Sequence, residues 1–540
     1  MRVFRRGTPA GALSALCFAF APACAQTRPP AAQPRVRPAL VVFVTIDQMR
    51  ADYVSRFDRQ LTGGLRRLYD GGAVFPDGYQ DHGITETAPG HAATMSGRFP
   101  VHTGIVMNAV GVNGVPDADV IGGGPGDLAA SPVRFQGTTL TDWIKARFPA
   151  ARVLSVARKD RGAILPIGRS KSEVYWWAAR GFFTTSRYYA DTLPDWVKRF
   201  NARRLAESHA GRSWSLLLPE SAYPEPDSVP IESGGRDFVF PHRVPDDSAI
   251  AARVAARFPW MDEITLAFAL AGLQHLELGT SPDRTDILAV SLSTTDAIGH
   301  QFGPDSREVH DQIVRLDRYL GVFLDSLFKL RDQGRVVVAL TGDHGVAPFP
   351  NLKSRIDPNQ NAELVDLGAP WGAFLSRLST AGVDRSAVVF DESVVVVTKP
   401  EEFIRARVRA DSAIATFGKD AMTVPGVLRA DLMTALARAD TARDAIARRW
   451  LHMFAPDGPV RMIVTLTPYS YWGPSPGIAM HGSPHDYDAK VPIVFYGAGI
   501  RPGRYPGFVR VVDMAPTLAA LVGVPPLERL DGRPLIRAIR

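Results

Sequence analysis

The sequence predicts an α/β fold: a three-layer sandwich with a mostly parallel central sheet, helices on both faces and capping insertions. Three observations predict it. Apolar, β-branched runs recur along the chain, the first three of them lead into acidic residues, and helical stretches lie between them. Residues 39–46 (ALVVFVTI) lead into Asp47. Residues 287–292 (ILAVSL) lead through Ser-Thr-Thr to Asp296, and residues 336–341 (VVVALT) lead through Gly342 to Asp343-His344. Continuous apolar runs of this length read as strands buried on both faces, as in a parallel sheet under helices. A fourth run, 491–496 (VPIVFY), follows a His-rich loop. Between strands, residues 309–329 carry apolar side chains at i, i+3 and i+4 spacing, one face of a helix. Residues 514–521 read as part of a C-terminal helix. The stretches at about 150–280 and 350–475 are less regular, with aromatic clusters such as Tyr175-Trp176-Trp177 and Pro-rich turns. They are expected to be insertions that cap the sheet edge. In open α/β sheets ligands bind beyond the carboxyl ends of strands, so the polar residues there are the ones to read for chemistry.

Composition narrows the function classes. The 540 residues are 46% hydrophobic and 22% charged, enough for an enzyme-sized core and unlike a disordered chain. The formal charge of +7 is spread evenly, with arginines interleaved among acids. No basic stripe of the kind nucleic-acid binding needs is present, so no nucleic-acid partner is expected. Two cysteines exclude a disulfide scaffold and a zinc site built from four thiolates.

Both cysteines fall in residues 1–25, which read as a signal peptide. Arg2, Arg5 and Arg6 precede a short apolar stretch at 11–21, and Ala23-Cys24-Ala25 fits the small-x-small cleavage rule. An uncleaved signal anchor and a lipoprotein Cys24 are the alternatives, and Pro22 fits the second poorly. The apolar stretch is too short to span a membrane, and no later run reaches the ~18 residues a spanning helix needs. The mature protein is therefore expected to be periplasmic or secreted, without cysteine and without stable membrane insertion. Removing the three arginines and no acid lowers the charge from +7 to +4. Residues 26–38 read as a disordered Pro- and Arg-rich tether, and 39–540 as the catalytic domain with its two insertions.

The candidate chemistry lies at the strand ends. Asp47, Asp296, His300, Asp343, His344 and a histidine of HGSPHDYD, either His481 or His485, supply carboxylates and imidazoles in four loops. Asp296 and His300 stand four apart, so on a helical turn they face one ion. Mixed N/O ligand sets of this kind suit Zn2+, with two ions sharing the set. Any one of these acids alone would read as a turn or helix cap. The segment ITETAPGHAATMSG (84–97) places Thr87 before a Pro-started helix, at or near its N-cap, where the dipole and free N–H groups favour an anion. Thr85 is the rival hydroxyl. A metal ion beside either hydroxyl would lower its pKa by several units. In ARKDRGAILPIG, Lys159 and Arg161 at i, i+2 on an extended segment would point the same way, suited to phosphoryl oxygens.

With these residues in place, the sequence resembles the alkaline phosphatase superfamily, and within it the periplasmic Thr-nucleophile alkaline phosphatases of the PafA type. The resemblance runs from Val41 to the C-terminus. It is carried in order by IDQMRADY, TETAPGHAATMSGRFPVHTGI, KDRGAILPIG, STTDAIGHQFGP, TGDHGV and HGSPHDYDAKVP. It implies an alkaline-phosphatase-like fold and two Zn2+ per chain. Asp47, Thr87, Asp343 and His344 match the ligands of one zinc, with Thr87 also the nucleophile. Asp296, His300 and His481 match those of the second. Asn108, in GIVMNAV, matches an asparagine that contacts a phosphate oxygen. Lys159 and Arg161 match the pair that distinguishes these monoesterases from diesterase relatives.

The implied protein is a monomeric phosphomonoester hydrolase acting on small phosphorylated substrates through a phosphothreonine intermediate. A phosphodiesterase or nucleotide pyrophosphatase with the same metals is the rival. It would have an apolar or nucleotide-stacking pocket beside Asn108 and would do without Lys159 and Arg161. A non-catalytic phosphate-ligand-binding homologue would have lost a ligand or the nucleophile, and here every position is filled. A sulfatase would need a Cys/Ser-x-Pro-x-Arg site, and the Thr87 segment has no such arginine.

Overall fold

Strand β1 (Leu40–Ile46, LVVFVTI) is buried along its whole length, as its unbroken apolar sequence requires. Its side chains alternate between two cores. Leu40, Val42, Val44 and Ile46 pack with helices α1 (Gly64–Gly71), α5 (Trp260–His275) and α7 (Arg307–Leu330). Val41 and Phe43 pack on the other face with α2 (Thr87–Ser96), α3 (Leu140–Arg147) and α10 (Met514–Val522). One strand thus belongs to two hydrophobic layers, which is the three-layer sandwich. The computed structural model describes residues 37–116, 118–350, 362–473 and 478–540; the expected signal peptide (1–25) and nearly all of the tether (26–38) lie outside them.

Among the described residues the central sheet has nine strands. In chain order its members are β1, β2 (Ala73–Phe75), β3 (Val153–Ala157), β4 (Glu173–Trp177), β5 (Phe183–Thr184), β6 (Asp286–Leu292), β7 (Val336–Gly342), β12 (Ile493–Gly497) and β13 (Gly503–Arg504). Their spatial order is β13-β2-β12-β7-β1-β6-β3-β4-β5. The central five, β7-β1-β6-β3-β4, run parallel, with Leu40 opposite both Val336 and Asp286. Helix α7 begins where the Ser306 side chain accepts from Val309 N, and its Val309, Ile313, Leu316, Leu320 and Leu327 all turn inward.

The fourth apolar run, β12, joins this mostly parallel sheet antiparallel to β7, with Thr341 opposite Ile493. One expectation is corrected here. The stretch expected as an insertion from about 150 instead contributes β3, β4 and β5 to the sheet itself. Tyr175 and Trp176 are core residues at 2% and 3% exposure, because β4 is buried between helices on both faces. Within the later stretch, residues 388–466 supply a second sheet. Strands β8 (Val388–Asp391), β9 (Val394–Val397), β10 (Val427–Leu432) and β11 (Val460–Leu466) make an antiparallel sheet in the order β8-β9-β11-β10. Helices α8 (Gly368–Thr380) and α9 (Ala410–Ala421) pack on it through Phe374, Leu378, Ile414 and Phe417. No helix among the described residues is long and apolar enough to cross a membrane.

Candidate active site

The parallel strands deliver the acids to one edge. Asp47 follows β1, Asp343 and His344 follow β7, and Asp296 and His300 lie on α6 (Thr294–Phe302), which follows β6. His481 lies before β12 rather than after it. Because β12 runs antiparallel to β7, the residues preceding it reach the same edge as the residues following the parallel strands. Thr87 is the first residue of α2, one position inside the expected cap, and Glu86 takes the N-cap position. Helix α2 comes close because residue 90 is glycine: a Cβ there would stand 2.3 Å from the Asp343 carbonyl oxygen.

These side chains converge. Donor atoms of Asp47, Asp343 and His344 lie within 4.8 Å of one another, as do those of Asp296, His344 and His481. His300 Nε2 is 3.2 Å from Asp296 Oδ1 and 3.2 Å from His481 Nε2. Asp47, Asp343 and His344 are fully buried. Each imidazole is oriented from behind through Nδ1: His300 by Ala479 O at 2.5 Å, His344 by Gly345 O at 2.9 Å, and His481 by Thr85 O at 2.9 Å. That pins Nδ1–H on a carbonyl and turns Nε2 toward the carboxylates, the tautomer a metal ligand needs. The buried oxygens of Asp47 and Asp343 Oδ2 make no well-aligned hydrogen bond among the described residues and are approached only by the cationic or titratable groups Lys159, His344 and His91. Buried carboxylate oxygens that converge with imidazole nitrogens fit divalent cations of the zinc type.

Charge balance in the cluster is set by cations. Burial and the neighbouring Asp296 charge push Asp47 up, but Lys159 and His344 outweigh them and hold it well below the usual carboxylate range. Burial disfavours the charged form of His344, yet Asp343, Asp47 and Asp296 raise it to about 9. Burial, His344 and His300 hold His481 neutral, well below its ordinary value. An ion bound at His344 Nε2 therefore displaces a proton.

Lys159 and Arg161 differ in their contacts. The expected extended segment ends at Lys159, because Asp160 opens a short helix, α4 (Asp160–Ile164). Lys159 reaches into the cluster, with Nζ 2.6 Å from Asp47 Oδ2, 2.7 Å from Asp296 Oδ2 and 3.1 Å from Thr87 Oγ1. Arg161 makes no ion pair with the cluster among the described residues; its carboxylate contact is Asp160 at 3.7 Å, and it lines the same cavity as Lys159. Asn108 Oδ1 accepts from Ala88 N at 2.9 Å, so its amide caps α2. That takes up one of the first-turn N–H groups expected to be free, and Pro89 has none. The same bond leaves Asn108 Nδ2 as the donor beside the Thr87 turn. The rival hydroxyl is occupied: Thr85 Oγ1 donates to Ser483 O at 2.8 Å. His485 stands apart, its Nε2 2.8 Å from Leu466 O.

Sequence reasoning missed several residues that hold this arrangement. Gln48 has a left-handed φ of 64°, its N–H donates to Asp343 Oδ1 at 3.0 Å, and its Nε2 donates to Asp296 Oδ1 at 3.2 Å. It ties the two halves of the cluster. His91 Nδ1 lies 2.9 Å from Thr87 O and 3.0 Å from Asp343 Oδ2, while Nε2 is 2.8 Å from Ser291 Oγ. The Thr87/His91 spacing of one helical turn was a readable signal for it. Glu86 Oε2 accepts from Asn108 N at 2.6 Å and so fixes the Asn108 loop to the start of α2. Arg158, next to Lys159, approaches Asp296 at 4.0 Å.

Comparisons with known proteins identify the family. The family model for type I phosphodiesterase / nucleotide pyrophosphatase matches residues 41–417. The alkaline phosphatase PhoK of a Sphingomonas species is 31% identical, the match covering 92% of this chain and 90% of that one. Alkaline phosphatase PhoV of Synechococcus elongatus is 32% identical, covering 90% of each. The crystal structure of alkaline phosphatase PafA superposes with a TM-score of 0.83 at 25% identity, covering 93% of this chain and 99% of that one. The chain belongs to the type I phosphodiesterase / nucleotide pyrophosphatase family and, within it, is an alkaline phosphatase of the PafA type.

Proposed function

We propose that the protein hydrolyses phosphomonoesters through a phosphothreonine formed on Thr87. The observation that carries this reading is the environment of the Thr87 hydroxyl. It is buried at the edge of the acid–imidazole cluster, with Lys159 Nζ at 3.1 Å, whereas the hydroxyl of Thr85 is donated to a carbonyl. Asp47, Thr87, Asp343 and His344 would hold one zinc ion, and Asp296, His300 and His481 the second. When bound, two such ions supply charge neutralisation and Lewis acidity at the entering and leaving oxygens. The Thr87 oxygen forms a bond to phosphorus as the ester oxygen departs on the opposite side. Water then attacks the phosphothreonine, the Thr87 oxygen leaves, and inorganic phosphate is released. Lys159 stabilises the deprotonated Thr87 oxygen. Asn108 Nδ2 and Arg161 would bind the non-bridging oxygens, whose charge rises with a monoester dianion. Activity rises into the alkaline range while Lys159 stays charged, because the attacking oxygens must be deprotonated. The N-terminal pattern supports export, with the mature enzyme meeting small phosphorylated substrates outside the cytoplasm.

The test is the ratio of kcat/KM for p-nitrophenyl phosphate to that for bis(p-nitrophenyl) phosphate, in zinc-loaded wild type and Lys159→Ala. Wild type should strongly prefer the monoester, and the variant should lose that preference by about 10²-fold or more. A Lys159→Ala enzyme that keeps the wild-type monoester preference would overturn the specificity role of Lys159, and a wild type that prefers the diester would favour the phosphodiesterase reading.

A further inference from the structure

Beside the cluster, β4, α4 and the loop around residue 127 enclose a cavity of about 340 Å³. Its wall includes Arg158, Arg161, Trp177, Asn113, Asp127 and Asp160. The acids in it are already satisfied. Asp127 accepts from Gly124 N and Ala179 N, each at 2.9 Å. Asp160 accepts from Asn113 Nδ2 and from Arg161 N, each at 2.6 Å. The cations are not. The Arg158 side chain makes no hydrogen bond among the described residues, its Nε is buried without an acceptor, and its nearest carboxylate oxygen is Asp296 Oδ2 at 4.0 Å. Arg161 Nε and Trp177 Nε1 are likewise buried without acceptors. A guanidinium carries five N–H donors and stays charged, so leaving one largely buried without a hydrogen bond is costly unless a ligand completes it. The Arg158 side chain is only 21% exposed, which limits how far water can satisfy it.

Position selects which part of a substrate would reach it. Arg161 is assigned above to the transferred phosphoryl group. Arg158 stands 4.0 Å from Asp296, a residue of the second ion site in the reading proposed above, on which this inference rests; with Thr87 at the first site, the ester oxygen would depart toward the second. We infer that Arg158 and Trp177 form a leaving-group subsite for a second anion, so that the preferred substrates are phosphomonoesters whose alcohol carries a carboxylate or a further phosphate. The planar fork of Arg158 matches either anion in a bidentate pair, and Trp177 Nε1 adds a neutral donor. The chemistry is shared by sugar bisphosphates and phosphorylated hydroxy acids.

Binding tests this apart from turnover. Calorimetry on the metal-loaded enzyme would compare phenylphosphonate with 4-carboxyphenylphosphonate, 3-carboxyphenylphosphonate and phenylene-1,4-bisphosphonate, none of which is hydrolysed. At least one dianion-extended ligand should bind about tenfold or more tightly than phenylphosphonate. The carboxylate and bisphosphonate arms distinguish the two anion sources. In Arg158→Gln that advantage should collapse toward unity with zinc content unchanged, and Arg158→Lys should restore only part of it. Equal affinity of all four ligands in wild type overturns the inference. So does an Arg158→Gln enzyme that loses zinc and weakens all four ligands alike, because Arg158 would then serve only to hold Asp296. If wild type shows the preference but does not hydrolyse p-nitrophenyl phosphate, the proposed activity fails while the subsite stands.

Discussion

Gly90→Ala is the substitution whose sign depends most directly on how α2 meets β7. In an ordinary helix interior the change stabilises by about 1 kcal/mol, because alanine is the better helix former. Here the new Cβ would lie 2.3 Å from the Asp343 carbonyl oxygen and 2.8 Å from Asp343 Cβ. Ordinary contact begins at 3.4 Å, so helix and strand end must part by roughly 1 Å. Neither obstructing atom is the tip of a flexible side chain. Asp343 is held by Gln48 N and is buried on all sides. Overpacking of this kind costs about 1–3 kcal/mol. Thr87 sits three residues earlier on the same turn and moves with the helix, and a 1 Å misplacement of a reacting group costs roughly 10²-fold. We expect Gly90→Ala to be destabilised in urea and to lose about two orders of magnitude in kcat on p-nitrophenyl phosphate. An alanine variant that is more stable than wild type and retains kcat would refute the close approach of α2 to Asp343.

Other perturbations probe separate parts of the account. His481→Ala should lower zinc content toward about one ion per chain, whereas His485→Ala should leave metal content intact, since its ring is bound to Leu466 O; equal losses would contradict the assignment. Asp262, fully buried on α5, accepts from Thr294 Oγ1 at 2.7 Å and from Gln312 Nε2 at 2.9 Å, and burial raises its pKa from 3.8 to about 6. Its raised folded value means that stability falls as pH rises from about 4 to 6, by about 3 kcal/mol in all. Asp262→Asn should remove that slope, and the free Gln312 Oε1 can turn to accept from the new amide. Parallel stability-against-pH curves for the two proteins would contradict it.

Much of this was readable in the sequence, and the parts that were not have definable causes. Strands β1, β6 and β7 are buried on both faces, so their sequences are continuous apolar runs that need no context to recognise. The run that became β12 was equally clear, but side-chain pattern carries no strand direction, and its antiparallel pairing with β7 emerges only in three dimensions. Trp176 and Trp177 looked irregular because aromatic residues lie close together there, yet Trp176 belongs to the core and both line the Arg158 cavity. The metal-ligand candidates stood out because Asp, His and Thr at strand ends and helix starts have few other uses in such combination. Gln48 did not: its partner Asp296 is 248 positions away, and neither propensity nor spacing encodes that contact. The extended segment expected through Lys159 and Arg161 stops at Lys159 for a local reason: Asp160 is a good first-turn residue and opens a helix.

The central claim is that Thr87 carries the phosphoryl group. Acid quench of the zinc-loaded enzyme during steady turnover, followed by peptide mass spectrometry, tests it directly. The account predicts one phosphoryl group on Thr87, with none on Thr85, and loss of both the adduct and turnover in Thr87→Ala. A phosphorylated Thr85 or histidine, or undiminished turnover by Thr87→Ala, would contradict it.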